Sequence, residues 1–319
     1  MKAKKNIAGA AMKYVFGPVH SRRLGLSLGI DPVQDKTCTL DCVYCQLGAT
    51  AVKTLKRRVY APADAVVDEV RQVIATGQPL DYSTFSGTGE PTLNVELGRM
   101  ITGIKAMTDI PVAVITNSTL LHLDEVRSDL MQADLVIPSV NAVSAQVFAR
   151  LSRPLPGLDL PKMLGGIETF SRVYRGRLWI EVMLVRGIND GPDELQELAR
   201  FLDRLACEKI QINTVTRPPA ESDCTAVNDQ TLEHARKMFG LRAEIIGSFS
   251  NRTAALPGSD PCERILALVR SHPCTLEQIC DACGLKREEA EAALQELRRR
   301  RSIEQAEHGA QIFYRASGR

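Results

Sequence analysis

Between residue 80 and about residue 216, short β-branched and aliphatic runs alternate with longer helical patterns. The short runs predict strands at "YSTFSG" (82–87), "VAVITN" (112–117), "DLVIPSV" (134–140), "LWIEVMLV" (178–185) and "KIQINTV" (209–215), with an earlier one at "GLSLGID" (25–31). They are apolar almost throughout rather than alternating, the pattern of parallel strands covered on both faces. The longer patterns predict helices over 63–76, 94–107, 160–174 and 192–206. Strand–helix alternation with about six strands implies a parallel α/β sheet, either open or curled into a barrel, and the pattern alone does not choose between them.

The pattern changes near residue 250. "SNRTAALPGSDP" (250–261) is rich in small residues, Pro and Gly, and reads as a linker. Beyond it, "PCERILALVRSH", "TLEQICDACG" and "KREEAEAALQELRRRR" predict three helices, and "SIEQAEHGAQIFYRA" alternates around Gly309 as a hairpin. Three helices and a hairpin describe a winged helix-turn-helix of about 60 residues. The expected organisation is therefore an α/β unit over 1–250, a linker over 251–260 and a winged unit over 261–319.

Composition adds boundaries to this picture. A chain of 319 residues is long enough for two cores, and 44% hydrophobic with 24% charged residues is ordinary for a soluble globular protein. A net charge of +2 exerts no whole-molecule pull on nucleic acid or anionic lipid. No apolar run reaches the roughly 18 residues of a membrane span. The basic N-terminus "MKAKKNIAGAAMKYVFG" is interrupted by Lys13 before any signal-peptide core forms, so the expected location is cytoplasmic. Nine cysteines make an odd count, against a complete disulfide framework. Clustered thiols in such a chain point to metal or redox chemistry.

Three of these thiols, Cys38, Cys42 and Cys45, lie within "KTCTLDCVYCQLG" (36–48). A closed structural zinc site takes four ligands, and no His lies nearby as an obvious fourth, leaving a zinc knuckle with a distant fourth ligand as the alternative. A cubane iron–sulfur cluster takes one thiolate per iron, so three cysteines leave one iron open to a substrate or cofactor.

The Cx3Cx2C spacing, with Tyr44 just before the last cysteine, resembles the cluster loop of the radical S-adenosylmethionine superfamily. "FSGTGEPTL" (85–93) sits where members carry a glycine-rich segment for the methionine amino group, here as Gly87, Thr88, Gly89 and Glu90 with Thr88 replacing a glycine. Glycines let backbone carbonyls approach an ammonium, and Glu90 adds charge or braces the loop. Asn117, Ser139, Asn141 and Asn189 fall at predicted carboxyl ends of strands, where active sites of parallel α/β folds gather. Glu181 lies inside a strand, either facing cofactor or substrate or pairing with an arginine.

The resemblance covers about residues 14–217 and implies a partial (β/α)6 barrel. It further implies a [4Fe–4S] cluster on Cys38, Cys42 and Cys45, and S-adenosylmethionine chelated to the fourth iron. A one-electron reductant such as flavodoxin or ferredoxin would then drive cleavage to a 5′-deoxyadenosyl radical that abstracts hydrogen from substrate. "FGPVHSRRLGLSLGIDP" and "CVYCQLG" look most like a group related to the wyosine-base tRNA enzymes, whose members often carry a helical C-terminal appendage. Wyosine-forming relatives bear a second cluster on cysteines upstream of the radical loop, and here no cysteine precedes Cys38. Direct wyosine synthesis is therefore not expected. Cys274, Cys280 and Cys283 are read as core packing in the winged unit rather than as an auxiliary cluster.

The substrate class is left open between a nucleotide or RNA and a peptide. Arg22, Arg23 and Arg217 are candidates to line an anionic site, or to pair with carboxylates. DNA binding by the winged unit is weighed and not favoured. Residues 259–319 hold ten Lys+Arg and ten Asp+Glu, and its third helix begins with Glu288, Glu289 and Glu291. The competing reading is an iron–sulfur redox sensor that uses this unit to bind DNA. The intact Gly-Thr-Gly-Glu segment favours catalysis, since a sensor needs no cofactor cradle.

Overall fold

The structure, a computed structural model, describes residues 12–246, 260–309 and 311–317. The basic residues 1–11 and nearly all of the expected linker 251–260 lie outside them. An antiparallel hairpin of β1 (Val15–Ser21) and β2 (Gly25–Ile30) opens the fold. A two-residue ribbon of β3 (Thr37–Cys38) and β4 (Val52–Lys53) then brackets the cysteine loop. There follow α1 (Ala63–Ile74), β5 (Tyr82–Phe85), α2 (Leu97–Lys105), β6 (Val112–Thr116), α3 (Asp124–Leu130), β7 (Leu135–Pro138), α4 (Ala145–Ser152) and α5 (Leu160–Val173). The unit ends with β8 (Arg177–Leu184), α6 (Pro192–Asp203), β9 (Lys209–Thr214), α7 (Asp229–Phe239) and β10 (Ala243–Ile245).

The strands form one eight-stranded sheet in the order β1-β2-β5-β6-β7-β8-β9-β10. Every neighbouring pair is parallel except β1 with β2. All six expected strands are present. The pattern missed both edges: β1, whose Pro18 is tolerated on an edge strand because it need not donate to a partner, and the short β10. It also missed α3, α4 and α7, which are short or strongly polar.

Helix α2 starts three residues later than expected. Glu90 caps a 3-10 turn at Pro91–Leu93, and the Asn94 amide donates to the carbonyls of Pro32 and Ala61 at 2.9 and 3.0 Å. Those bonds hold Asn94 out of the helix and pin the turn to the loop after β2.

Along β6 to β9, alternate residues face opposite ways. Val112, Val114, Val136, Ile180, Val182, Ile210 and Ile212 pack into the main core beneath the helices. Their odd-numbered neighbours Ala113, Leu135, Ile137 and Trp179 form a separate apolar cluster with Leu24 on the opposite face. The strands read as apolar throughout because both faces are buried.

A second core, built on Ile265, Ile279, Leu294 and Ile303, belongs to α8 (Pro261–Ser271), α9 (Leu276–Cys283), α10 (Arg287–Arg299) and the antiparallel hairpin of β11 (Ile303–His308) and β12 (Gln311–Ala316). Val19 of β1 packs against this second core, so the C-terminal unit sits on the edge strand.

Candidate functional site

The odd-numbered face of β6 to β9 changes character toward the carboxyl ends. Past the apolar cluster come Asn117, Ser139, Glu181 and Asn213, and with Thr84 and Ser86 they line a cavity of about 380 Å³. Cys38, Cys42, Cys45, Tyr44, Gly87, Thr88, Gly89 and Glu90 line the same cavity. Eleven residues expected at the site thus converge on one space; Asn141 and Asn189 do not.

The cysteine loop hangs on the carboxyl end of α4. Asp41 and Val43 donate backbone N–H bonds to the carbonyls of Ser152 and Leu151 at 2.9 and 3.0 Å. Leu40 and Val43 are buried in the core, which turns the cysteines toward the cavity. Burial pushes the Cys38 thiol up to about 11, with Glu90 adding to it, and burial pushes Cys42 up to about 12. Such thiols become thiolates only against a cationic partner such as iron. Two donors already face sulfur: Lys36 Nζ lies 2.7 Å from Cys45 Sγ, and Asn117 Nδ2 lies 3.4 Å from Cys38 Sγ.

Among the described residues, no three His, Cys, Asp or Glu side chains converge on a single ion. A mononuclear site gathers every ligand around one centre, whereas a cubane places each thiolate on its own iron. Three thiols lining one cavity, two of them beside N–H donors, supply the donor set a cubane takes, one thiolate to an iron.

The glycine-rich segment packs on the base of that loop. Gly87 has φ +156°, and a Cβ there would fall 2.4 Å from Asp31 Cγ. A Cβ on Gly89 would fall 2.2 Å from the Thr37 carbonyl oxygen. Asp31 Oδ2 accepts from Thr88 N and Oγ1 at 3.1 and 2.8 Å, so the Thr that departs from the family pattern locks the turn to β2.

Glu90 is 2% exposed and accepts from Thr92 N, Thr92 Oγ1, Thr116 Oγ1 and Asn117 N at 2.6–3.1 Å. Burial raises its pKa despite these four donors. With both oxygens engaged, Glu90 braces the loop.

Asn189 and Asn141 stand behind the wall. Asn189 is fully buried; its amide donates to the carbonyls of Asn141 and Met183, and its oxygen accepts from Val185 N. Asn141 donates to the Tyr44 hydroxyl at 2.6 Å and accepts from Met183 N. These amides shape the β8 end and position Tyr44.

Glu181 combines a place on the cavity wall with an ion pair to an arginine. It lines the cavity, Arg23 Nη1 lies 2.9 Å from its Oε2, and Asn213 Nδ2 donates to its Oε1 at 3.1 Å. Burial would raise its pKa, but Arg23, Asn213 and Arg22 outweigh burial and hold the carboxyl below its ordinary value.

Asn213 and His272 are among the lining residues that escaped the sequence. Asn213 shares its face with the flanking Gln211 in "KIQINTV", a polar alternation that marks an inward face. His272 comes from the C-terminal unit, 55 positions beyond Arg217, the preceding lining residue, and nothing in its local sequence signals the cavity.

Residues 36–202 match the sequence profile of the radical SAM superfamily. The chain belongs to that superfamily. Radical SAM proteins use a [4Fe–4S] cluster and S-adenosylmethionine, and these are the cofactors of this one. Over 233 residues it is 41% identical to a protein of Brachyspira hyodysenteriae named GTPase Obg, covering 73% of this chain. The chain spans only 34% of that relative's length. It is 37% identical over 238 residues to a UPF0026 protein of Methanocaldococcus jannaschii, covering 74% of this chain and 73% of the other. Among solved structures, TYW1 with a lysine-pyruvate adduct bound aligns with TM-score 0.52 at 15% identity, covering 70% of this chain and 75% of that one. That likeness is one of fold.

Proposed function

We propose that this radical SAM protein is an enzyme whose Cys38, Cys42 and Cys45 hold the [4Fe–4S] cluster and whose Gly87–Glu90 segment receives S-adenosylmethionine on the open iron. The observation that carries the reading is the convergence of the three thiols and the glycine-rich backbone on one cavity at the carboxyl ends of the strands. Bound together, cluster and cofactor supply reductive cleavage of the sulfonium and hence a 5′-deoxyadenosyl radical able to abstract hydrogen from substrate.

The chain's own groups bind, orient and exclude water. Lys36 and Asn117 donate toward sulfur, which stabilises thiolate charge and tunes the cluster's potential. Tyr44, Thr88, Ser139 and Glu181 offer polar contacts to the cofactor, and the apolar floor around Leu24 and Ile115 keeps that end of the cavity dry. The substrate is a nucleotide, an RNA or a peptide, the electron donor is of flavodoxin or ferredoxin type, and the setting is cytoplasmic. No helix among the described residues is long and apolar enough to cross a membrane. The wyosine-related subgroup rests on the segments quoted above.

We read the C-terminal unit as a winged helix-turn-helix that closes the cavity rather than binds DNA. The groove between α9, α10 and the hairpin alternates in charge, with Arg287 paired to both Glu277 and Glu291, and offers no uniform field to a phosphate backbone.

Anaerobic reconstitution followed by assay for 5′-deoxyadenosine tests the enzyme reading. A salt-dependent shift of DNA without 5′-deoxyadenosine formation would replace it with the regulator.

A further inference from the structure

The segment that leaves the cysteine loop carries positive charge on the outside of the fold. Between Asp41 and Asp64 the chain has no acidic residue and four cations, Lys53, Lys56, Arg57 and Arg58. Arg57 is largely buried and matched by Asp129 and Glu125. Lys53, Lys56 and Arg58 are exposed, and among the described residues none of them has a carboxylate partner. Lys53 Nζ donates to the Arg153 carbonyl at 3.1 Å, and the Arg58 guanidinium lies 4.6 Å from the centre of the Tyr60 ring. Neither contact cancels a charge. Beside these cations Val52 and Val59 are 47% and 49% exposed.

This surface is held firmly against the thiols. Lys53 pairs with Cys38 across the β3–β4 ribbon, and Thr54 donates its N–H to the Cys38 carbonyl at 2.9 Å. Thr50 donates to Asp41 and to the Leu40 carbonyl, Arg58 N–H to the Leu93 carbonyl, and the Tyr60 hydroxyl to the Lys56 carbonyl. A surface ordered in advance lowers the cost of association. Leu47 is the last residue of this loop on the cavity wall, and residues 48–60 do not line the cavity. A substrate has to enter the cavity to meet a radical there. An electron does not, because it crosses a thin wall of protein. A basic surface bonded to the backbone of Cys38, yet outside the cavity, suits a partner that delivers an electron.

We propose that Val52, Lys53, Lys56, Arg58 and Val59 form the docking surface for an acidic one-electron flavoprotein of the flavodoxin type, which reduces the cluster from outside the cavity. Exposed valines among unmatched cations complement an apolar flavin edge ringed by carboxylates, and such charge steers encounter over a small, transient contact. In the transfer the anionic flavin hydroquinone becomes the neutral semiquinone, one electron passes to the oxidised cluster, and no proton moves. The proposal rests on the cluster standing on Cys38, Cys42 and Cys45.

The test uses the full reconstituted chain and its combined Lys53→Glu, Lys56→Glu, Arg58→Glu variant. In stopped flow at low ionic strength, the variant should be reduced by flavodoxin hydroquinone about tenfold or more slowly than the wild type. Added salt should slow the wild type and close the gap. The combined Lys53→Gln, Lys56→Gln, Arg58→Gln variant should fall between the two. The dissociation constant of oxidised flavodoxin, read by calorimetry, should rise in the same order. Thermal midpoints, iron content and reduction by photoexcited 5-deazaflavin, which needs no docking, should not change. Flavodoxin rates and affinities indifferent to both variants overturn the proposal, as does an equal loss with 5-deazaflavin. A charge-dependent rate with reduced ferredoxin and none with flavodoxin also overturns it. So does a salt-dependent shift of transfer RNA that the glutamates abolish while flavodoxin reduction is unchanged, since the surface would then serve nucleic acid. A wild type without iron sinks the cluster reading instead, and calorimetry with oxidised flavodoxin still decides the docking surface.

Discussion

Arg23 Nη1 and Glu181 Oε2 lie 2.9 Å apart and join the turn before β2 to the middle of β8 across the inner face of the sheet. Their side chains are 16% and 10% exposed, so the charges are matched largely out of water. Removing one partner strands the other. Glu181→Ala should cost about 3–5 kcal/mol in urea unfolding, and Arg23→Ala a similar amount.

The same pair sets an acid limb of stability. The folded pKa of Glu181 lies below its ordinary value, so the unfolded state binds its proton first as pH falls. Its contribution is complete above the unfolded value, about 4.3, and is lost as pH drops through the folded one. Urea midpoints of the wild type should therefore fall on acidification below about pH 5, and those of Glu181→Gln should fall less.

Cys42→Ala should lose cluster iron and reductive cleavage of S-adenosylmethionine together. Cys274 and Cys283 are buried in the second core, with Cys280 packed against it. Cys280→Ser with Cys283→Ser should therefore leave iron near four per chain, at some cost in stability. Iron near eight in the wild type would place an auxiliary cluster there.

At Gly89, a methyl group would meet the backbone carbonyls of Thr37 and Val33 first, and then the stiff β-branched side chain of Val33. Gly89→Ala should destabilise by about 1–3 kcal/mol and displace the base of the cysteine loop. The visible absorbance of the reconstituted cluster should fall with it.

Asn189→Ala leaves the carbonyls of Asn141 and Met183 and the N–H of Val185 without their partner. Each such loss costs about 1–3 kcal/mol, so the variant should be clearly less stable. At temperatures where it stays folded, its dissociation constant for S-adenosylmethionine should change less than that of Ser139→Ala, whose residue lines the cavity. A larger loss at Asn189 would place that amide on the cofactor.

Local chemistry by itself determined the parallel strands, through apolar runs that suit a sheet buried on both faces, and the three-thiol loop, through a spacing too short for anything but one site. It also marked the glycines of the Gly-Thr-Gly-Glu turn, where the structure leaves no room for a Cβ. Only the tertiary structure decided which polar residues at the strand ends face the cavity. Asn117 and Asn141 look alike in sequence, yet one donates toward sulfur and the other braces Tyr44, because the chain's path after each strand sets the direction of its side chain. The Arg23–Glu181 pair spans 158 positions, and His272 arrives from a separate core, so neither leaves a periodic trace. Periodicity reports what a residue's neighbours in the chain require. Contacts made by folding distant segments together depend on the whole packing.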